Sequence, residues 1–147
     1  MQGFLQQLFD YNFLCNKLLI EQCGAMAPIP GECQRLFSHI LDAHHIWNQR
    51  ILGEAPEYGL WEIHPHDVWG DIHYNNQRTT FEIMTNSHNF QERVEYTNSQ
   101  GRPFTSDIGD ILFQIINHST HHRGQILAQL RAHGTEPPKL DYIFYRR

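Results

Sequence analysis

The sequence has little of what defines several large protein classes. It has only three cysteines, Cys15, Cys23 and Cys33, and their odd number and irregular spacing fit neither a disulfide framework nor a paired zinc-knuckle pattern. No apolar run reaches the ~18 residues of a membrane-spanning helix. The first residues lack the basic segment and cleavage motif of a signal peptide. These absences predict a cytoplasmic protein with reduced thiols and no membrane partner.

Cationic side chains are also scarce. The chain has 11 Lys and Arg against 16 Asp and Glu, a formal net charge of −5 at pH 7. Nucleic-acid binding requires Lys and Arg to neutralise phosphates, so we expect no nucleic-acid partner. A length of 147 residues with 40% hydrophobic content is typical of one globular domain, residues 1–147. Histidine is abundant, with 11 residues, and neutral imidazole is the commonest metal ligand in proteins.

The spacing of apolar residues predicts four amphipathic helices. Prolines and glycines separate them, and residues 54–70 form a long connection. Alternation around an Asn/Gly turn predicts a short hairpin before the last helix. The fold class is therefore all-α, a four-helix bundle with a long helix 2–3 connection. The first three predicted helices are Gly3 to Met26, Gly31 to Leu52 and Asp71 to Gln91. The fourth begins at a Thr105 or Ser106 cap, has Asp107 in its first turn and ends near His133. The predicted strands are 94–97 and 102–105, and Pro137 begins a non-helical tail.

Two histidines on the fourth helix suggest a metal site. His118 and His122 are four residues apart, so they lie on the same helix face, one turn from each other. On a helical wheel this face coincides with the apolar stripe that includes Ile115, whereas His121 falls at its edge or outside. Buried imidazoles need partners for their nitrogen atoms. A single metal ion bound by both would satisfy this need.

A third ligand has to come from another helix. The second helix offers His39, His44 and His45. His44 lies near the centre of the apolar stripe, His39 on its flank and His45 on the far side, where we expect it to be solvated. The spacing alone therefore leaves both His39 and His44 as candidates.

Two segments, residues 39–47 and 117–125, resemble the DinB-like family of metal-binding four-helix bundles. The second segment contains the consecutive residues His122, Arg123, Gly124 and Gln125, which form a fairly specific signature, and residues 96–101 and 134–141 are similar too. In this family the first ligand precedes a helical tryptophan by eight residues, which implies His39, with Trp47 following. The resemblance implies that the metal ligands are His39, His118 and His122, with His44 as an alternative.

The resemblance also implies a function. Members of the family are often dimeric, with an atypical helix order, and hold zinc or nickel on three protein ligands, which leaves a fourth position for water or substrate. Some are transferases or isomerases that use a low-molecular-weight thiol. The expected protein is therefore a homodimeric, metal- and thiol-dependent transferase, or a hydrolase, acting on a small molecule. The alternative is a non-catalytic, stress-related binding module with a structural metal, whose fourth ligand would be His44 or Glu21.

Several other residues have two interpretations. Arg123 and Gln125 are candidates for binding a cofactor or substrate, although Arg123 could equally form a surface salt bridge and Gln125 could orient a ligand. We interpret the segment from His64 to Asp67 as a solvated turn rather than a metal clamp. His88, expected on the third helix, is a candidate core or pocket residue. The tryptophans Trp47, Trp61 and Trp69 are candidate packing residues, and the last two could cover the metal site.

Overall fold

A computed structural model describes all residues, Met1–Arg147. It is mostly helical with one small sheet, as the predicted class requires. The elements are α1 (Gln2–Gly24), α2 (Gly31–Leu52), a 3₁₀ turn (His66–Val68), α3 (Trp69–Asn86), β1 (Arg93–Thr97), β2 (Pro103–Asp107), α4 (Ile108–Ala132) and the short α5 (Tyr142–Tyr145). The four long predicted helices and the hairpin are therefore present.

The principal contacts between the long helices join α1 and α2 to α3 and α4. Both α1 and α2 pack against α3 and against α4, and the most extensive contact is between α2 and α4. One apolar cluster includes Leu19, Phe37 and Trp69, and a second includes Phe9, Met84 and Leu112. This packing matters for function because it brings the histidine-bearing faces of α2 and α4 together.

The third helix begins and ends earlier than predicted. It starts at Trp69 rather than Asp71, because the Trp69 ring is buried against Phe37 and its Nε1 donates a hydrogen bond to the His64 carbonyl oxygen. It ends at Asn86 rather than Gln91, because Ser87 leaves the helical conformation and its backbone N–H and Oγ both bond to the Ile83 carbonyl. The prediction that places His88 on this helix is therefore wrong.

The hairpin explains why α4 starts later than predicted. β1 and β2 are antiparallel, with Glu95 opposite Thr105 and Val94 opposite Ser106. Because Thr105 and Ser106 are used in the ladder, neither caps the helix, and Asp107 is the N-cap residue. Asp107 also forms an ion pair of 2.6 Å with Arg93 on β1. Each strand is one residue longer than predicted: β1 starts one residue earlier, whereas β2 starts one residue later and ends two residues later.

The connection between α2 and α3 is bound tightly to α2. His64 Nε2 donates to Asp42 Oδ1 over 2.6 Å, and the His64 backbone N–H donates to Ser38 Oγ over 3.0 Å. Both members of the His64–Asp42 pair are buried. The interpretation of this segment as a solvated turn is therefore wrong at His64, because buried Asp42 requires a donor and His64 supplies it, whereas Pro65 and Asp67 are exposed.

Three further findings concern the tail, the cysteines and the hydropathy of the helices. The tail is not entirely non-helical, since Tyr142–Tyr145 form one helical turn whose aromatic rings contact Tyr11. Cys15, Cys23 and Cys33 are free and buried, in agreement with the prediction of reduced thiols. None of the helices combines the length and apolar composition needed to cross a bilayer.

Candidate metal centre

Three histidines meet where α2 packs against α4. His39 on α2 is buried, and His118 and His122 on α4 are partly buried. One ring nitrogen from each lies within 4.8 Å of the others. The His39 Nε2 and His118 Nε2 atoms are 3.0 Å apart. The arrangement is therefore one helix supplying an i, i+4 pair and the facing helix supplying a third imidazole.

Two of the three rings are oriented by hydrogen bonds of their Nδ1 atoms, which lie on the side of the ring that faces away from the centre of the cluster. His39 Nδ1 donates to the Leu60 carbonyl oxygen over 2.8 Å, and His122 Nδ1 lies 2.7 Å from Gln125 Oε1. A carbonyl oxygen only accepts, so these contacts place the proton of each neutral ring on Nδ1. The Nε2 lone pairs of His39 and His122 then remain available for a metal, as is usual for metal-bound histidine.

The environment keeps the three rings neutral. Burial lowers the pKa of His39 and of His122 below the ordinary value for histidine. Burial, followed by the proximity of His122 and His39, lowers the pKa of His118 to about 3. A metal binds only the deprotonated imidazole. The cluster is therefore in its metal-binding form at neutral pH.

An aromatic side chain from the α2–α3 connection covers the cluster. The Trp61 ring stacks on His39, with centroids 3.5 Å apart and planes within 3° of parallel. Arg35 lies over the Trp61 ring at 4.8 Å. Trp61 remains 46% exposed, so it covers His39 without sealing the site. Trp69, the other proposed cover, is fully buried in the core and does not reach the cluster.

The donor set fits a divalent transition metal. Nitrogen ligands at ~2.0–2.1 Å from a tetrahedral ion are about 3.3 Å from each other. The 3.0 Å separation of the His39 and His118 Nε2 atoms is close to this value. Imidazole is a preferred ligand of zinc, copper, iron and nickel, whereas magnesium and calcium prefer oxygen.

The remaining candidate ligands lie elsewhere. His44 is fully buried, and its Nε2 donates to Thr80 Oγ1 over 2.8 Å, while Thr80 donates to Asn48. His44 is therefore bound within a separate polar network. His45 accepts a hydrogen bond from the Glu57 backbone N–H.

The two candidate cofactor residues have different positions. Gln125 contacts the cluster through His122. Arg123 is only 2% exposed and faces α1, where it bonds to Asn12 and Asn16. The interpretation of Arg123 as part of a surface salt bridge is therefore wrong, because α4 turns it away from solvent and away from the three histidines.

Sequence reasoning missed two components of the site. The Leu60 carbonyl orients His39, but a backbone acceptor has no sequence signal. The pair of Asp42 and His64 holds the connection that carries Leu60 and Trp61. A possible signal was the placement of Asp42 among buried positions of α2, since a carboxylate there requires a partner.

The fold and site together define a mostly helical protein with a three-histidine cluster that could hold one metal ion. The chain matches the DinB family over residues 31–147. This match starts at the first residue of α2, includes all three histidines and covers well over half of the chain, so the protein belongs to the DinB family. A search of curated proteins found no match.

Proposed function

We propose that the protein binds a single zinc or nickel ion through His39, His118 and His122 and uses it in a thiol-dependent transferase reaction on a small molecule. The observation that carries the metal assignment is the convergence of three neutral imidazoles, with ring nitrogens within 4.8 Å of one another. Membership of the DinB family supports the same assignment. We also infer that the four long helices form one bundle around this site.

The proposed chemistry depends on a coordination position of the metal ion that no protein side chain occupies. An ion held by three imidazoles can accept a fourth ligand and lower the pKa of a water or thiol bound there. His39 and His122 are held in the required orientation by Leu60 and Gln125. Trp61 provides an aromatic surface beside the cluster, and the Arg35 cation stacked on it adds positive charge near a thiolate or anionic substrate.

A structural metal is the second candidate function. The donors come from two different helices, so an ion bound there would join α2 to α4. In that case removal of the metal should unfold the protein, and no reaction should depend on it. The two functions therefore differ in whether stability or turnover is lost when the metal is removed.

The first experiment measures metal content by plasma mass spectrometry of protein purified without an affinity tag. We expect about one equivalent of zinc or nickel in the wild type and none in the double variant His118→Ala, His122→Ala. The matched control is His121→Ala, since His121 is an exposed neighbour on the same helix that lies outside the cluster. Wild-type protein that stays metal-free after incubation with zinc and with nickel would contradict the proposal.

The second experiment tests thiol transfer. N-Acetylcysteine and monochlorobimane are mixed with each protein, and the fluorescent thioether is followed over time. A metal-dependent acceleration in wild type and His121→Ala, absent in the double variant, supports a transferase. A wild type that binds metal, does not accelerate the reaction and unfolds in a chelator supports the structural alternative.

A further inference from the structure

Arg123 is a buried cation without an anionic partner. It is 2% exposed. Its Nη1 donates to Asn12 Oδ1 and, over 3.0 Å, to Asn16 Oδ1, and its Nη2 donates to Thr120 Oγ1 over 3.0 Å. All three acceptors are neutral. A guanidinium stays protonated in proteins, and a buried charge is costly unless it is paired.

The nearest titratable groups do not provide the missing negative charge. Tyr11 and Cys15 are close to Arg123, but burial raises the pKa of both side chains, so both remain neutral at pH 7. The Tyr11 hydroxyl donates to the Leu140 carbonyl oxygen. No Asp or Glu oxygen lies within 4.0 Å of the guanidinium nitrogens. The charge is therefore solvated only by neutral dipoles.

Arg123 is one of the residues that line a cavity of about 610 Å³. The cavity lies between α1, α4 and residues 136–142 of the tail, and none of His39, His118 and His122 lines it. Its charged lining residues are Arg123, Arg131 and Lys139 against Glu136 and Asp141, which leaves one formal positive charge. Its apolar lining includes Leu8, Ile116 and Leu127. This volume falls within the range of small-molecule sites.

We propose that this cavity, separate from the metal centre, binds a small organic acid whose carboxylate pairs with Arg123 and whose apolar body lies against α1 and α4. A carboxylate supplies the charge that the buried guanidinium lacks, and the planar guanidinium matches its geometry. The apolar wall selects a hydrophobic acid over a small inorganic anion. The Oδ1 atom of Asn12 and that of Asn16 both accept hydrogen bonds from Arg123. These two bonds hold the guanidinium in place in the absence of ligand.

The test is a titration of the ¹⁵N-labelled 147-residue chain with benzoate in excess EDTA, followed by NMR. The chelator prevents benzoate from binding through a metal. We expect saturable shifts in the amides of Thr120, Gly124 and Leu127. Benzamide, the neutral isostere, should bind at least about tenfold more weakly, because it forms no charge-assisted pair. No saturation at these amides, saturation elsewhere, or equal binding of benzamide would each overturn the proposal.

A pair of variants at Gly124 locates the site without disturbing Arg123. Gly124 lines the cavity, and a Cβ built on it meets no heavy atom within 4 Å. Gly124→Leu should fold normally, because it replaces a helical glycine, and should weaken benzoate binding at least about tenfold by occupying the cavity. Gly124→Ala is the matched control and should bind within about twofold of wild type. A Gly124→Leu variant that binds benzoate like wild type would exclude this cavity.

Discussion

Two buried histidines outside the metal centre should make the protein sensitive to acid. His73 on α3 donates from Nε2 to the Phe13 carbonyl over 3.0 Å and stacks on the Phe13 ring. Burial, with Arg123 nearby, lowers the pKa of His73 to about 4, and burial with His73 nearby lowers the pKa of His44 to about 3. Both values lie below the ordinary 6.5 of an unfolded chain.

The direction of the pH effect follows from these values. Above pH 6.5 the two histidines are neutral in both states and add no pH dependence. As the pH falls toward 4, only the unfolded chain takes up these protons, so stability falls by about 1.4 kcal/mol per pH unit for each histidine. At pH 5 the loss amounts to about 2 kcal/mol for each histidine, a large part of the roughly 5–15 kcal/mol that is typical for the free energy of unfolding. Asp42 acts in the opposite sense, because burial raises its pKa to about 6 and the folded state gains a proton first.

The substitution His73→Gln isolates one of these contributions. Gln retains an N–H that can donate to Phe13 but does not titrate. Urea unfolding followed by circular dichroism, in EDTA and between pH 4.5 and 7.5, should give the same slope of stability against pH in both proteins above pH 6.5 and, below about pH 6, a slope that is shallower in the variant by about 1.4 kcal/mol per pH unit. Identical slopes in variant and wild type would refute the argument, since the pKa of His73 would then be the same in the folded and the unfolded state.

Three further predictions follow from individual contacts. Gln125→Leu removes the acceptor that orients His122 and should weaken zinc binding by about 10–100-fold in a chelator competition, whereas Gln125→Glu should retain it; equal losses in both variants would contradict the role of this hydrogen bond. Asp42→Leu leaves His64 buried without an acceptor and should lower the free energy of unfolding by about 3 kcal/mol. Asp42→Asn keeps a side-chain acceptor and should lower it by less. Urea unfolding measures both variants, and similar losses would show that the acceptor does not matter. Gly53 ends α2 with φ of +70°, so Gly53→Ala should cost about 1 kcal/mol in the same assay, and an unchanged midpoint would rule out the strain.

Several features of this protein could be predicted from the sequence because they depend on local periodicity. The four-residue spacing of His118 and His122 places them on one face of any helix, whatever packs against it. The turn residues around Asn98 and Gly101 were sufficient to predict the hairpin. Gly101 has φ of +78°, a backbone conformation that favours glycine. The second helix was bounded correctly, since Pro30 and Gly53 mark its ends in the sequence.

Other features were decided only by the tertiary structure. Whether His39 or His44 faces α4 depends on how α2 is rotated in the packed core; His39 meets the α4 pair and His44 bonds to Thr80 on α3. The start of α3 depended on the long-range burial of Trp69, which the neighbouring Gly70, read as a loop residue, did not indicate. Arg123 likewise looked like a surface residue, because nothing in its neighbourhood reveals that Asn12 and Asn16 on α1 lie opposite. Spacing determines which side chains share a face, and only packing between distant segments determines what that face meets.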